Sequence, residues 1–356
     1  MFIFDIENNL SIMKKIIVLL ITIVISSCSS TNVEINDPID TTPQSKWVNV
    51  EEPFPSGENG LFPLVKNPMY KLPSGFNNLK DDDKVALVSF QNQIKVYPYL
   101  YTNKSEIVND SIGEFFYAVS YCPQTKSAIN YNRIIQNDTL DLVASGYLYK
   151  DNMVPSDKNF NFYWSQMLLK GITNDAVSKN LQTLNVIQTN WKTVVDFFPD
   201  AKVYYYEGDI ITPKINHQNN PIENKTPAEI SNADPVFSII ENHSDSGKTE
   251  LVHAYALKSF NDNNTLQEII IDSKPTLLLS NKQHYFFTTF IKPNGLDFQL
   301  ENSNFPPILT DNEGTKWNAF GYAYDAPRKG QQLTSAKSYI ASWWAWKDFF
   351  ENIEIK

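Results

Sequence analysis

Trp191-x4-Asp196-Phe197-Phe198 recurs as Trp343-x4-Asp348-Phe349-Phe350. Upstream, Trp164-Ser165-Gln166-Met167 is matched by Trp317-Asn318-Ala319-Phe320, and Val96-Tyr97-Pro98-Tyr99 by Ala254-Tyr255-Ala256-Leu257. Three landmarks in one order at nearly constant spacing point to a diverged internal duplication. Such a repeat constrains the fold more than any single motif, because both copies must satisfy one pattern of burial. The expected organisation is a first copy over 47–206, a linker over 207–234 rich in Asn and Pro, and a second, degenerate copy over 235–356.

Within each copy the apolar pattern is that of short strands. Val85–Phe90, Ile94–Tyr99, Phe115–Cys122, Ala128–Ile135 and Leu140–Tyr149 are rich in Val, Ile, Tyr and Phe and are parted by polar clusters. The second copy offers Val236–Ile240, Leu251–Leu257, Ile269–Ile271, Thr276–Leu279, His284–Ile291 and Leu296–Leu300. The two Trp motifs read as helices. Thr189 and Asn190 can cap one in which Trp191, Val194, Val195 and Phe198 make an apolar stripe, and Pro199 stops it. In the other, Ser342 caps and Trp343, Trp346 and Phe350 make the stripe. The expected fold class is therefore mainly β (α+β): two diverged β-rich repeats side by side, each closed by a short Trp-containing helix that packs on its own repeat.

The N-terminus is an address. Met13-Lys14-Lys15 precedes the apolar run Ile16–Ile25 and then Ser26-Ser27-Cys28, the order of a secretory signal. Spanning a bilayer takes about 20 apolar residues, more than this run supplies. Ile25-Ser26-Ser27-Cys28 resembles the lipobox of bacterial lipoproteins, which implies lipidation of Cys28 after removal of residues 1–27. Asp5 and Glu7 do not suit a signal, so Met13 is the expected true start. Residues 28–46 are polar and read as a flexible tether. The protein is expected in the cell envelope, anchored by lipid to the outer membrane and facing the periplasm.

The formal net charge of −10 excludes nucleic acid as a natural partner and leaves attachment to an anionic membrane to the lipid. With Cys28 acylated, Cys122 is the only thiol left in the chain, so no internal disulfide can form.

Several segments of the first copy carry a specific likeness. Ser105-Glu106-Ile107-Val108-Asn109-Asp110, Tyr121-Cys122-Pro123-Gln124-Thr125-Lys126-Ser127-Ala128, Ser145-Gly146, Asp151-Asn152-Met153-Val154 with Asp157, and Trp164 resemble the bacterial and archaeal family known as domain of unknown function 3179. That family's landmarks run His-Glu-Ile-Val-Asn-Asp, Tyr-Cys-Pro-x-Thr/Cys-Gly-Ser-Ala, and Ser-Gly followed by Asn-Leu-Val-Met-Tyr-Asp. Phe62-Pro63 with Asn67-Pro68 is similar to its Ile-Pro-x-Ile-Asp-Asn-Pro segment. The resemblance covers roughly residues 60–205 and implies a fold and boundaries, with no activity to carry over. The family's His falls on Ser105, its Gly on Lys126, and a second Cys of some members on Thr125. A His–Cys pair is therefore missing from this chain.

The motif segments point to a candidate pocket built from Glu106, Asp110, Cys122, Lys126 and Asp157. Cys122 would need a cation or base to become a nucleophile, and Lys126 is the local cation. Glu106 and Asp110 would share a face if their stretch were helical. His217, His243, His253 and His284 show no metal-ligand spacing, and Gly-rich phosphate loops and hydrolase elbows are absent. No cofactor and no metal are expected. The favoured function is binding of a small ligand or an envelope protein; the alternatives are a thiol- or metal-dependent enzyme using Cys122 and nearby carboxylates, and a glycan-binding surface lipoprotein.

Overall fold

The computed structural model describes residues 46–48, 50–55, 62–159, 162–179, 181–208, 230–242 and 250–356. The leader, Cys28, the tether up to residue 45, His217, His243 and the body of the linker lie outside the described residues.

The chain is mainly β, and its two halves use one pattern of pairings. In the first, Lys84–Phe90 and Gln93–Pro98 form a hairpin. Ile187–Asn190 joins the outer edge of Lys84–Phe90 antiparallel, and Lys202–Tyr205 joins Gln93–Pro98 in parallel. The second half pairs Pro235–Glu241 with Leu251–Ala256, adds Ser338–Ser342 antiparallel, and adds Asn352–Ile355 in parallel. In both, the chain passes from one edge of the sheet to the other through the seven-residue Trp helix, Trp191–Phe197 or Trp343–Phe349. Each hairpin is followed by a helical turn and an antiparallel meander of three strands. These are Ile107–Ile112, Phe115–Cys122 and Ser127–Asn132 in the first half, and Thr265–Ile271, Lys274–Asn281 and Phe286–Ile291 in the second.

Both helices begin without a side-chain cap. Asn190 occupies the cap position, but its Oδ1 accepts instead from Lys84 Nζ at 2.6 Å. Main-chain carbonyls supply the acceptors that a free helix N-terminus lacks. The Trp191 and Lys192 amides donate to Asp83 and Asp81, and the Trp343 and Trp344 amides donate to Asp234 and Asn232. Val195, expected in the buried stripe, is exposed.

The halves do not keep separate cores. Alternation along the first hairpin sends Val85, Leu87 and Val96 to one face and Ala86, Val88 and Tyr97 to the other, so both faces need cover. The chain's own first meander covers the second of these faces through Val108, Tyr117 and Val119. The other half's meander covers the first, through Leu277, Leu279, Phe286 and Phe290, and the Trp191 helix lies in that layer. The arrangement is reciprocal. Trp343 and Trp346 pack with Val236 and Val252 against Ile107, Ala118 and Ile129 of the first half, while Phe237 and Ile239 meet Leu278 and Phe287 within the second. The four sheets thus bury one another in a closed cycle. Each Trp helix packs on the opposite half's meander as well as its own sheet, which differs from two lobes side by side. All seven tryptophans are buried.

Candidate functional site

Ile107–Ile112 is a strand, not a helix, and Glu106 precedes it with φ 57°. Residues four apart on a strand share a face but sit roughly 13 Å apart at about 3.3 Å per residue. Glu106 and Asp110 therefore belong to different neighbourhoods.

On this strand Asn109 and Asp110 look to opposite sides. Asn109 clamps the meander to the neighbouring strand Leu142–Tyr149: its Nδ2 donates to Leu142 O at 2.7 Å and to Val65 O at 3.1 Å, and its Oδ1 accepts from Leu142 N at 2.9 Å. Asp110 enters the layer between the meander and the first hairpin. Lys95 Nζ donates to its Oδ1 at 2.8 Å, and both residues are buried. Its other oxygen accepts from Tyr97 OH at 2.5 Å, Tyr117 OH at 3.1 Å, and the Tyr70 hydroxyl. Burial pushes the Tyr70, Tyr97 and Tyr117 phenols up, and the Asp110 charge adds to this, so all three remain protonated donors at neutral pH. Burial also lowers the Lys95 ammonium, while the Asp110 hydrogen bond and charge oppose it.

Asp110 also borders an open, mostly polar cleft of about 270 Å³ lined by Lys66, Asn109, Arg133, Thr139 and Asp141. Asp141 holds both cations: Lys66 Nζ lies 2.7 Å from Oδ2 and Arg133 Nη2 lies 2.8 Å from Oδ1. Arg133 is fixed further by donation from Nε to Leu140 O at 2.6 Å. Burial lowers the guanidinium, and Asp141, Asp110 and Asp157 raise it in that order. Asp157 is buried behind the cleft, its Oδ2 accepting from Asp141 N at 3.0 Å and its Oδ1 from Asn159 N at 2.8 Å.

Cys122 lies elsewhere, in a buried polar network made of the motif residues. Gln166 Nε2 donates to Ser120 Oγ at 2.8 Å, and Gln166 Oε1 accepts from Ser127 Oγ at 2.8 Å and Asn152 Nδ2 at 2.7 Å. Asn152 Nδ2 also donates to Thr125 Oγ1 at 3.0 Å, and Met153 N donates to the Cys122 sulfur at 3.5 Å. Burial raises the thiol, and the Glu106 carboxylate raises it again; hydrogen bonds from Thr125 and Met153 pull the other way. Glu106 is thus the charge that acts on the sulfur, and its sign favours the protonated form. Lys126 is exposed at a left-handed turn position, φ 56°, and does not offset it. Treating the folded full-length protein with iodoacetamide at pH 8 is expected to leave Cys122 unmodified by intact mass, with full labelling in urea. Rapid labelling of the folded protein would refute the buried, protonated thiol.

Of the five residues picked from the sequence, Asp110 and Asp157 flank the Arg133–Asp141 cleft, Glu106 neighbours Cys122, and Lys126 stands apart on an exposed turn. Ser105, where the family's His falls, is buried. His253 Nε2 meets Glu241 at 2.7 Å, and His284 stacks on Phe305, in separate parts of the second half.

The sequence model of the protein family of unknown function DUF3179 matches residues 59–353. The chain belongs to this family. No curated protein and no solved structure matches the chain. The DUF3179 match runs through the second half as well as the segment where the motif likeness is clear, in keeping with cores that draw on both halves. In this DUF3179 protein the Ile-Val-Asn-Asp motif supplies the strand clamp and the buried carboxylate, and Cys-Pro-Gln-Thr-Lys-Ser supplies the Cys122 network. Sequence reasoning missed Tyr70, Lys95, Arg133 and Asp141. A signal existed for Lys95, which alternates in phase with Tyr97 on a strand whose other face is Ile94 and Val96; a lysine there needs a buried partner.

Proposed function

We propose that this chain is a lipid-anchored, periplasm-facing binding protein that takes a small polar ligand in the Lys66–Asp110–Arg133–Asp141 cleft. The observation that carries this reading is the cleft itself. Two cations from separate segments converge on Asp141, beside a buried carboxylate, at an opening to solvent. Charges of both signs, with Arg133 and Asp141 fixed beside the strands by their mutual ion pair and by the Arg133 bond to Leu140 O, suit a solute with donors and acceptors, and the mostly polar lining gives an apolar ligand little to bury against. The lipobox-like Cys28 and the polar tether support an anchored location. The buried thiol beside Glu106 favours binding over thiol chemistry.

A thermal-shift screen of the full chain against amino acids, small sugars and carboxylic acids, run beside Asp141→Asn, tests the cleft. A bound ligand at 100 times its Kd adds about 2.7 kcal/mol of stability. The expected result is a class of solute that raises the melting temperature of the wild type and loses most of that effect in Asp141→Asn. A ligand that stabilises both proteins equally, or a panel that stabilises neither, would sink the proposal.

A further inference from the structure

A second site lies where the tether meets the folded chain. Residues 46–48 are strapped to 172–174: Val48 N donates to Ile172 O at 3.0 Å, Asn174 N donates to Lys46 O at 3.3 Å, and Trp47 forms a β-bridge with Thr173. Thr173 Oγ1 also accepts from Tyr163 N at 3.4 Å, which brings Tyr163 alongside Trp47. The third member comes from a bulge. Pairing between Leu142–Tyr149 and Asn152–Asp157 shifts register between Ala144 and Leu148, with Gly146 at φ 78°, and Tyr147 follows it. A side chain at 146 would strain that turn.

The three rings form a box. Trp47 meets Tyr147 at 5.7 Å and 69°, Trp47 meets Tyr163 at 5.3 Å and 70°, and Tyr147 meets Tyr163 at 6.1 Å and 84°. The Lys46 ammonium sits 4.4 Å from the Trp47 ring centre, 5.0 Å from Tyr163 and 5.2 Å from Tyr147. All three lie within the about 6 Å at which a ring face attracts a cation. Lys46 makes no ion pair among the described residues; it is exposed, so its ammonium has three ring faces on one side and solvent on the other.

We infer that Trp47, Tyr147 and Tyr163 are an aromatic cage for a methylated ammonium group, and that Lys46 is a built-in plug that such a ligand displaces. A primary ammonium is compact and strongly hydrated, and lining it with rings costs hydration that three π faces return only in part. A trimethylammonium group is larger, loses less hydration, and presents methyl groups to all three rings. Lys46 occupies the cage because it is tethered one residue from Trp47, which gives it a high local concentration. Removing the lysine frees the cage.

The test is calorimetric titration of the full-length chain in dodecyl maltoside with choline, for wild type, Lys46→Ala, and Lys46→Ala combined with Tyr163→Ala or with Tyr147→Leu. Lys46→Ala is expected to bind choline about tenfold more tightly than wild type, and either added ring substitution to abolish the gain. Circular dichroism of each variant identifies any that fail to fold, and the two ring substitutions are independent of each other. 3,3-Dimethylbutan-1-ol, the uncharged isostere of choline, is expected to bind Lys46→Ala at least tenfold more weakly than choline. Dihexanoylphosphatidylcholine below its micellar concentration separates two sources of the same headgroup. Tighter binding than choline assigns the cage to lipid, weaker binding assigns it to a free solute, and both support it. Equal choline affinity in wild type and Lys46→Ala, or equal binding of the isostere, would overturn the inference and leave Lys46 as a clamp on the tether.

Discussion

A chain ended at Glu207 is expected not to fold. It would retain every landmark of the first half and the whole of the layer between the first hairpin and its own meander. It would lose Val236, Val252, Trp343 and Trp346 from the core that covers Ile107, Ala118 and Ile129. It would also lose Leu277, Phe286, Phe290 and Trp317 from the core that covers Val85, Leu87, Val96 and Trp191. Truncating one buried aromatic to Ala typically costs about 3–5 kcal/mol, against a total stability of about 5–15 kcal/mol for a domain. Several are removed at once, and two apolar sheet faces meet water. The measurement is the amide spectrum and far-ultraviolet dichroism of the truncated chain: collapsed, poorly dispersed signals are expected. A cooperative unfolding transition in the fragment would overturn the shared-core description.

Asp110→Ala is expected to be the most damaging single substitution around the candidate site, at about 3–5 kcal/mol in urea unfolding of the full chain. The reason is an asymmetry between the partners of a buried ion pair. Without Asp110, the buried Lys95 keeps its charge with no counter-ion, and three phenols lose their shared acceptor. Without Lys95, by contrast, Asp110 still accepts from those phenols and from Ser111 N at 2.7 Å. Lys95→Met should therefore cost markedly less than Asp110→Ala. The pH dependence has a definite sign. The Lys95 ammonium titrates below its usual 10.5 in the folded state, so between the two values the unfolded chain binds more protons and stability rises with pH. Loss of Asp110 removes the opposing interactions, lowers that folded value further and widens the window. The deficit of Asp110→Ala should accordingly shrink as pH is raised from neutral toward 10, and a deficit independent of pH would count against a buried, charged Lys95.

Much of the strand pattern was legible because alternation writes burial directly into the sequence. Phe115–Cys122 is found with the bounds expected of it, and the second hairpin and meander fall where their apolar runs predict. Ile107–Ile112 was not legible as a strand, since the polar residues Asn109, Asp110 and Ser111 interrupt its apolar alternation, the first two of them buried. Asn109 and Asp110 are buried because each has a specific partner in another segment. The same holds for Ser127, Asn152 and Gln166, whose network joins three separate motif segments. The sequence also misleads at Lys126, which is close to Cys122 along the chain but exposed, whereas the charge that acts on the thiol comes from Glu106.

Read alone, the chain's residues already specify which positions alternate, where the two Trp helices lie, and that one order of landmarks runs through both halves. These are local properties, set by side-chain period and by the residues flanking each element. It took the packing of the folded chain to set each meander against the opposite half's Trp helix, Lys95 against Asp110, Lys66 and Arg133 on Asp141, and three rings beside Lys46. A strand's period tells which face is buried and is silent about what buries it. Partners separated by many residues are chosen by the packing of whole sheets, so the chemistry of this protein is decided at that level.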